Sequence, residues 1–114
     1  MIRGTTPTHV FLVDISLENI DKLYVTYKQN KNTIVEKTLD DVEIDNDAKT
    51  ISVHLTQAET LLFKDLHWSA LHPNLNSKDD KIQVQIRIKY DDGTALASNI
   101  ILLPIDDILK DGEI

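Results

Sequence analysis

The segment Ile82-Gln83-Val84-Gln85-Ile86-Arg87-Ile88-Lys89-Tyr90 leaves this chain little freedom. Its even positions are all apolar and its odd positions all polar, a period of two that suits a strand with one buried face and one wet face. Asp91-Asp92-Gly93 comes next, and glycine after aspartate supplies the positive φ that a tight hairpin needs. The chain then returns through Thr94 to Ala97 and Ser98-Asn99-Ile100-Ile101-Leu102-Leu103. That final apolar quartet predicts a strand covered on both sides, or one that twists between faces. Pro104, which cannot donate to a ladder, marks a strand edge or end.

The same period recurs upstream. Phe11, Val13, Ile15 and Leu17 share one parity, as do Leu23, Val25 and Tyr27. The second run turns at Gln29-Asn30-Lys31-Asn32, and Ile34 to Leu39 comes back from it. Val42 and Ile44 form a short strand closed by Asp45-Asn46-Asp47-Ala48, after which Ile51, Val53 and Leu55 alternate with polar residues. About seven strands joined by compact turns predict an all-β chain, an antiparallel β-sandwich of immunoglobulin-like layout. A barrel closed from the same strands is the rival.

Thr56-Gln57-Ala58-Glu59 fits a capping box, which predicts one short helix carrying Leu61, Leu62 and Phe63. A long loop spans residues 64–80, and residues 106–114 form a C-terminal tail. With 114 residues, the whole chain from 1 to 114 reads as one domain that opens with an extended arm over residues 1–8.

Nineteen acids against twelve bases give a net charge of −7, a field that disfavours direct nucleic-acid binding. With no cysteine, disulfides and thiolate chemistry are excluded. Neither a signal-peptide pattern nor a membrane-length apolar run is present, so we expect no membrane partner and residence in the cytoplasm or within a larger assembly.

Several segments together carry a resemblance. They are Arg3-Gly4-Thr5-Thr6-Pro7-Thr8, Leu23-Tyr24-Val25-Thr26-Tyr27-Lys28-Gln29, Leu55-Thr56-Gln57-Ala58-Glu59-Thr60, and Asp92-Gly93 with Ser98. In that order the chain resembles a group of small proteins encoded by phages and prophages of Gram-positive bacteria. The resemblance implies a phage or prophage origin beside virion structural genes, and hence a place in the virion or in the infected host's cytoplasm. It brings no activity or binding residue to carry over. The departure from the group lies mainly between Lys64 and Asp80, where similar proteins are shorter.

Asp41, Glu43, Asp45 and Asp47 fall at every second position, as in a calcium loop. Such a loop needs glycine at its sixth position and glutamate at its twelfth; counted from Asp41 these are Asn46 and Ser52, so strand alternation explains the spacing better. The histidines lack metal-ligand spacing, and neither a nucleophile elbow nor a phosphate loop occurs. No enzyme, metal or cofactor is predicted.

Two segments are candidates for partner contact. In the arm, Thr5, Thr6, Pro7 and Thr8 favour an extended course, fit either for pairing with the chain's own sheet or for adding a strand to a neighbour, and Arg3, Thr5, Thr6 and Pro7 are its candidate contact residues. In the loop, Trp68 is either a plug for the core or an anchor for a partner, with Leu66, Leu71 and Leu75 beside it as a satellite cluster; if they are exposed, Leu66, His67, Trp68, Leu71 and His72 are the candidate contact residues. The expected function is a non-enzymatic structural or accessory protein of a phage particle (capsid, neck, tail or baseplate). Its partners would be other phage structural proteins or further copies in a homo-oligomer. The alternative is a soluble acidic inhibitor of a host defence protein. A carbohydrate-binding module ranks third, because Tyr27 and Tyr90 fall on buried parity.

Overall fold

The computed structural model describes residues 1–29, 31–63, 81–105 and 112–114. Its elements in chain order are β1 (Thr8–Leu12), β2 (Ile20–Gln29), β3 (Asn32–Thr38), a 3₁₀ turn (Leu39–Asp41), β4 (Val42–Asp45), β5 (Thr50–His54), α1 (Gln57–Leu61), β6 (Ile82–Tyr90), β7 (Ala95–Ala97) and β8 (Ile101–Leu103). All pairings between these strands are antiparallel.

The strands form two sheets. One has the order β1-β5-β4, the other β3-β2-β6-β7 with β8 also on β6. Relabelled by position, these are B-E-D and C′-C-F-G, an immunoglobulin-like layout. Inward-facing residues of both sheets meet in one core: Leu23, Val25 and Tyr27 of β2, Ile51 and Val53 of β5, and Ile82, Val84, Ile86 and Ile88 of β6 are all buried. The alternation that defines β6 in the sequence is therefore its alternation between core and solvent.

Turn chemistry follows the local sequence. Gly93 takes φ +90° in the β6–β7 turn, and the Asp92 carboxylate accepts from the Thr94 N–H at 2.8 Å, which holds its carboxyl below the usual range. Asp45 accepts from the N–H groups of Asp47 and Ala48, both at 3.1 Å, closing the β4–β5 turn on itself. The capping box forms as predicted: the Glu59 N–H donates to the Thr56 hydroxyl at 3.2 Å, and the Thr56 N–H donates to the Glu59 carboxylate at 2.9 Å.

Some expectations change. The Phe11-to-Leu17 run keeps its inward parity, but β1 ends at Leu12. The Leu17 N–H donates to the Asn46 side chain at 2.9 Å and Asn19 takes φ +59°, so side-chain and turn geometry replace the ladder there. The quartet Ile100 to Leu103 is not covered on both sides: Ile100 and Leu102 are exposed while Ile101 and Leu103 pack on the core. The strand is an edge piece on β6, with nothing among the described residues beyond it. In the helical segment Phe63 is buried against the Tyr27 ring, whereas Leu62 faces outward.

Candidate functional site

The acidic series Asp41 to Asp47 is used locally. Asp41 accepts from both the N–H and the hydroxyl of Thr38 at 3.0 Å, which lowers its carboxyl below the usual range, and Asp45 is committed to its turn. Glu43 sits exposed on the outer face. Among the described residues no group of three or more His, Cys, Asp or Glu side chains is placed to hold a metal ion, and no helix is long and apolar enough to cross a membrane.

His9, half-buried on β1, and the buried Tyr27 of β2 form a polar pair. The His9 Nδ1 lies 2.8 Å from the Tyr27 hydroxyl, and the His9 ring also stands edge-on to Phe11. Burial holds the His9 pKa below its ordinary value, with the N-terminal ammonium adding to this, and pushes the Tyr27 hydroxyl up, with the Glu59 charge adding to this. Both groups are therefore neutral at physiological pH, and they pin two strands together.

The arm is folded onto its own domain. The Arg3 guanidinium donates to the carbonyls of Phe63 (2.6 Å) and Leu61 (3.2 Å), groups that the end of α1 leaves without helical partners. The Gly4 N–H donates to the Thr60 hydroxyl at 3.0 Å, and that hydroxyl donates to the Thr5 carbonyl at 2.9 Å. The Pro7 carbonyl accepts from the Leu55 N–H, extending the β1–β5 ladder by one step. Thr6 is exposed. Leu66, His67, Trp68, Leu71 and His72 lie outside the described residues, as does most of the tail.

A different surface emerges at β1. The Leu55 N–H bonds Pro7 and the Val13 N–H bonds the Lys49 carbonyl. Odd-numbered residues of β1 thus aim their backbone groups at β5, and the N–H and C=O groups of Thr8, Val10 and Leu12 aim away from it. Among the described residues no strand pairs with that free side. Val10 is 58% exposed and Leu12 is 83% exposed on this edge. Beside it lies an open apolar groove of about 330 Å³ between the two sheets, with Val13, Ile15, Ile86, Ile88 and Leu96 in its wall. In the immunoglobulin-like layout strand A lies outside strand B, and here the residues that precede β1 are bonded to α1 instead.

The other edges are guarded. β4 carries Glu43 and Asp45, and β3 carries Glu36 and Lys37 and a register shift opposite Tyr27 and Lys28. The remaining edge is split into β7 and β8, three residues each. Charge, bulges and brevity are the usual means of blocking edge-to-edge pairing, and β1 has none of them. In sequence, Val10 and Leu12 are apolar on the parity opposite to Phe11 and Val13, a strand with two apolar faces. That signal marks the site, although strand parity alone does not say that β1 lies at an edge.

Charge is also unevenly spread. Lys22, Tyr24, Thr26 and Lys28 of β2 share an outer face with Gln83, Gln85, Arg87 and Lys89 of β6, so one sheet presents a basic outer face on an acidic protein. Lys22 stands opposite Lys89 in register. Tyr24 is the half-exposed aromatic there, while Tyr27 is buried and Tyr90 donates its hydroxyl proton to the Ser16 carbonyl. No protein-family model matches the chain, and comparison with curated proteins gives no match.

Proposed function

We propose that the protein is a non-enzymatic structural or accessory component of a phage or prophage particle, working through protein–protein contacts made along the free edge of β1. The observation that carries this reading is the pair Val10 and Leu12, apolar and exposed beside backbone that no described strand pairs, on an edge without charge. An extended segment laid along such an edge gains main-chain hydrogen bonds, and its alternate side chains fall over the groove lined by Val13, Ile15 and Leu96. The particle setting rests on the resemblance of Arg3-Gly4-Thr5-Thr6-Pro7-Thr8 and the other shared segments to phage and prophage proteins. Many copies in one particle make modest affinity per contact sufficient.

The test is quantitative mass spectrometry of purified particles from the encoding phage, with wild-type protein and with Val10→Lys. The wild type is expected at fixed copy number and the variant is expected to be depleted, with its circular dichroism unchanged. Absence of the wild type from particles overturns the particle assignment. Full incorporation of the variant overturns the role of the β1 edge.

A further inference from the structure

We infer that the strand accepted by β1 is β1 of a second copy, paired antiparallel about a two-fold axis through Val10. The inference rests on β1 being a contact surface and names its occupant.

Three observations point to a second copy. First, the outward backbone groups belong to Thr8, Val10 and Leu12, a set symmetric about Val10. Antiparallel pairing of two such edges sets Val10 opposite Val10 of the second copy and Thr8 opposite its Leu12. Every outward N–H then faces a C=O, for about six hydrogen bonds in all. Second, the seam is uncharged. Thr8, Val10 and Leu12, and their outer-face neighbours His54, Ser52 and Thr50 on β5, include no acid or permanently charged base. Two chains of net charge −7 repel overall, and a strip without acids adds no repulsion of its own where they meet. A basic partner, the kind an acidic protein attracts, would find no carboxylate on this strand.

Third, the register extends sensibly at both ends. On the inner face it sets Phe11 beside His9 of the second copy, a ring pairing already present within one chain. One step further it carries Pro7 of the second copy past Val13, at the mouth of the apolar groove. The two three-stranded sheets would become one six-stranded sheet, and both unguarded edges would disappear. Such an isologous contact closes on itself and adds no further subunits.

The experiment is sedimentation velocity on the full chain over a concentration series, together with oxidation of single-cysteine variants. The chain has no native cysteine, so each variant carries one thiol. Hydrogen-bonded antiparallel partners lie about 5.5 Å apart between Cα atoms, within disulfide range. Val10→Cys is therefore expected to form a covalent dimer under mild oxidation. Leu12→Cys is expected not to, because in this register the two copies of residue 12 stand about 14 Å apart, four residues along the strand. Val10→Lys, which opposes two ammonium groups across the axis, is expected to weaken dimerisation about tenfold or more. Val10→Thr keeps the branched shape and tests folding separately.

A wild-type protein that stays monomeric throughout overturns the inference. So does Leu12→Cys crosslinking as fast as Val10→Cys, or undiminished dimerisation of Val10→Lys. A monomer that still enters particles through Val10 overturns the two-fold pairing and leaves the function proposed above standing. A Val10-centred dimer absent from particles does the reverse.

Discussion

The two flanks of the sandwich are built from the same parts and finished differently. On the β3–β4 flank the chain itself crosses from sheet to sheet through Leu39–Asp41, and Thr38 and Asp41 tie the crossing with two 3.0 Å hydrogen bonds. Lys37 reaches from β3 to Glu59 of α1 at 2.7 Å, and both edge strands carry charges. On the β1–β7 flank, among the described residues, no strand pairs with the apolar edge of β1 and an open groove lies between the sheets. The difference shows that closing a sandwich is local work, done by a short connection, a few caps and a few charges. Where the described residues do not do that work, the edge and its groove are the surface on which the contact proposed above would form.

If stability resides in the closed regions and association in the open flank, substitutions in the two should fail in different ways. The largest loss is expected at Thr60, which is fully buried and whose hydroxyl accepts from the Gly4 N–H and donates to the Thr5 carbonyl. Thr60→Val keeps the shape and strands both arm groups without partners, at a cost of about 1–3 kcal/mol. Urea unfolding should register this as a lower midpoint at unchanged slope. An unchanged midpoint would mean that the arm is not held through Thr60, and would erase the contrast between the closed and open regions.

The contrast also marks what was legible in the residues. The β6 alternation, the Asp92-Gly93 turn and the Thr56–Glu59 box depend on neighbours within a few positions, so they are readable before any tertiary structure exists. The fate of Ile100 to Leu103 depends on whether another strand lies beyond β8, which is a property of the sheet order. Arg3 was similarly opaque, because its partners, the carbonyls of Leu61 and Phe63, become available only where α1 ends beside the arm. Val10 and Leu12 stand plainly in the sequence as apolar residues on the outer parity. Their meaning comes from β5, far along the chain, which pairs with one side of β1, while no described strand pairs with the other.

A smaller effect is expected at the ion pair of the closed side. Burial works against the charged form of Glu59, but the Lys37 ammonium and the Thr56 N–H and hydroxyl outweigh it and hold the carboxyl below its ordinary value. The folded state therefore binds that proton more weakly than the unfolded chain does, where a glutamate titrates near about 4.3. The resulting stability is present in full above that value and is lost as pH falls through the lower folded-state value. Glu59→Gln should cost about 1 kcal/mol at neutral pH. Unfolding midpoints of wild type and variant should converge as pH is lowered toward 3. Parallel curves at all pH values would remove Glu59 from the account of what closes this side.

The smallest change in stability is expected where the apolar surface is greatest. Leu12 is 83% exposed at the end of β1, so its side chain has little burial to lose, and no described strand pairs with its outward backbone groups. Leu12→Lys should leave the unfolding midpoint of the monomer within about 0.5 kcal/mol of wild type, as for surface positions generally. The same substitution places an ammonium group on a previously uncharged edge, which is how natural edge strands repel an incoming strand. Measured at low protein concentration, the two proteins should unfold together; measured where the wild type associates, they should separate, because association stabilises the folded state by mass action. A Leu12→Lys monomer that is markedly less stable at every concentration would show that Leu12 packs on its own domain. The β1 flank would then be a second closed surface, and the comparison between the flanks would collapse.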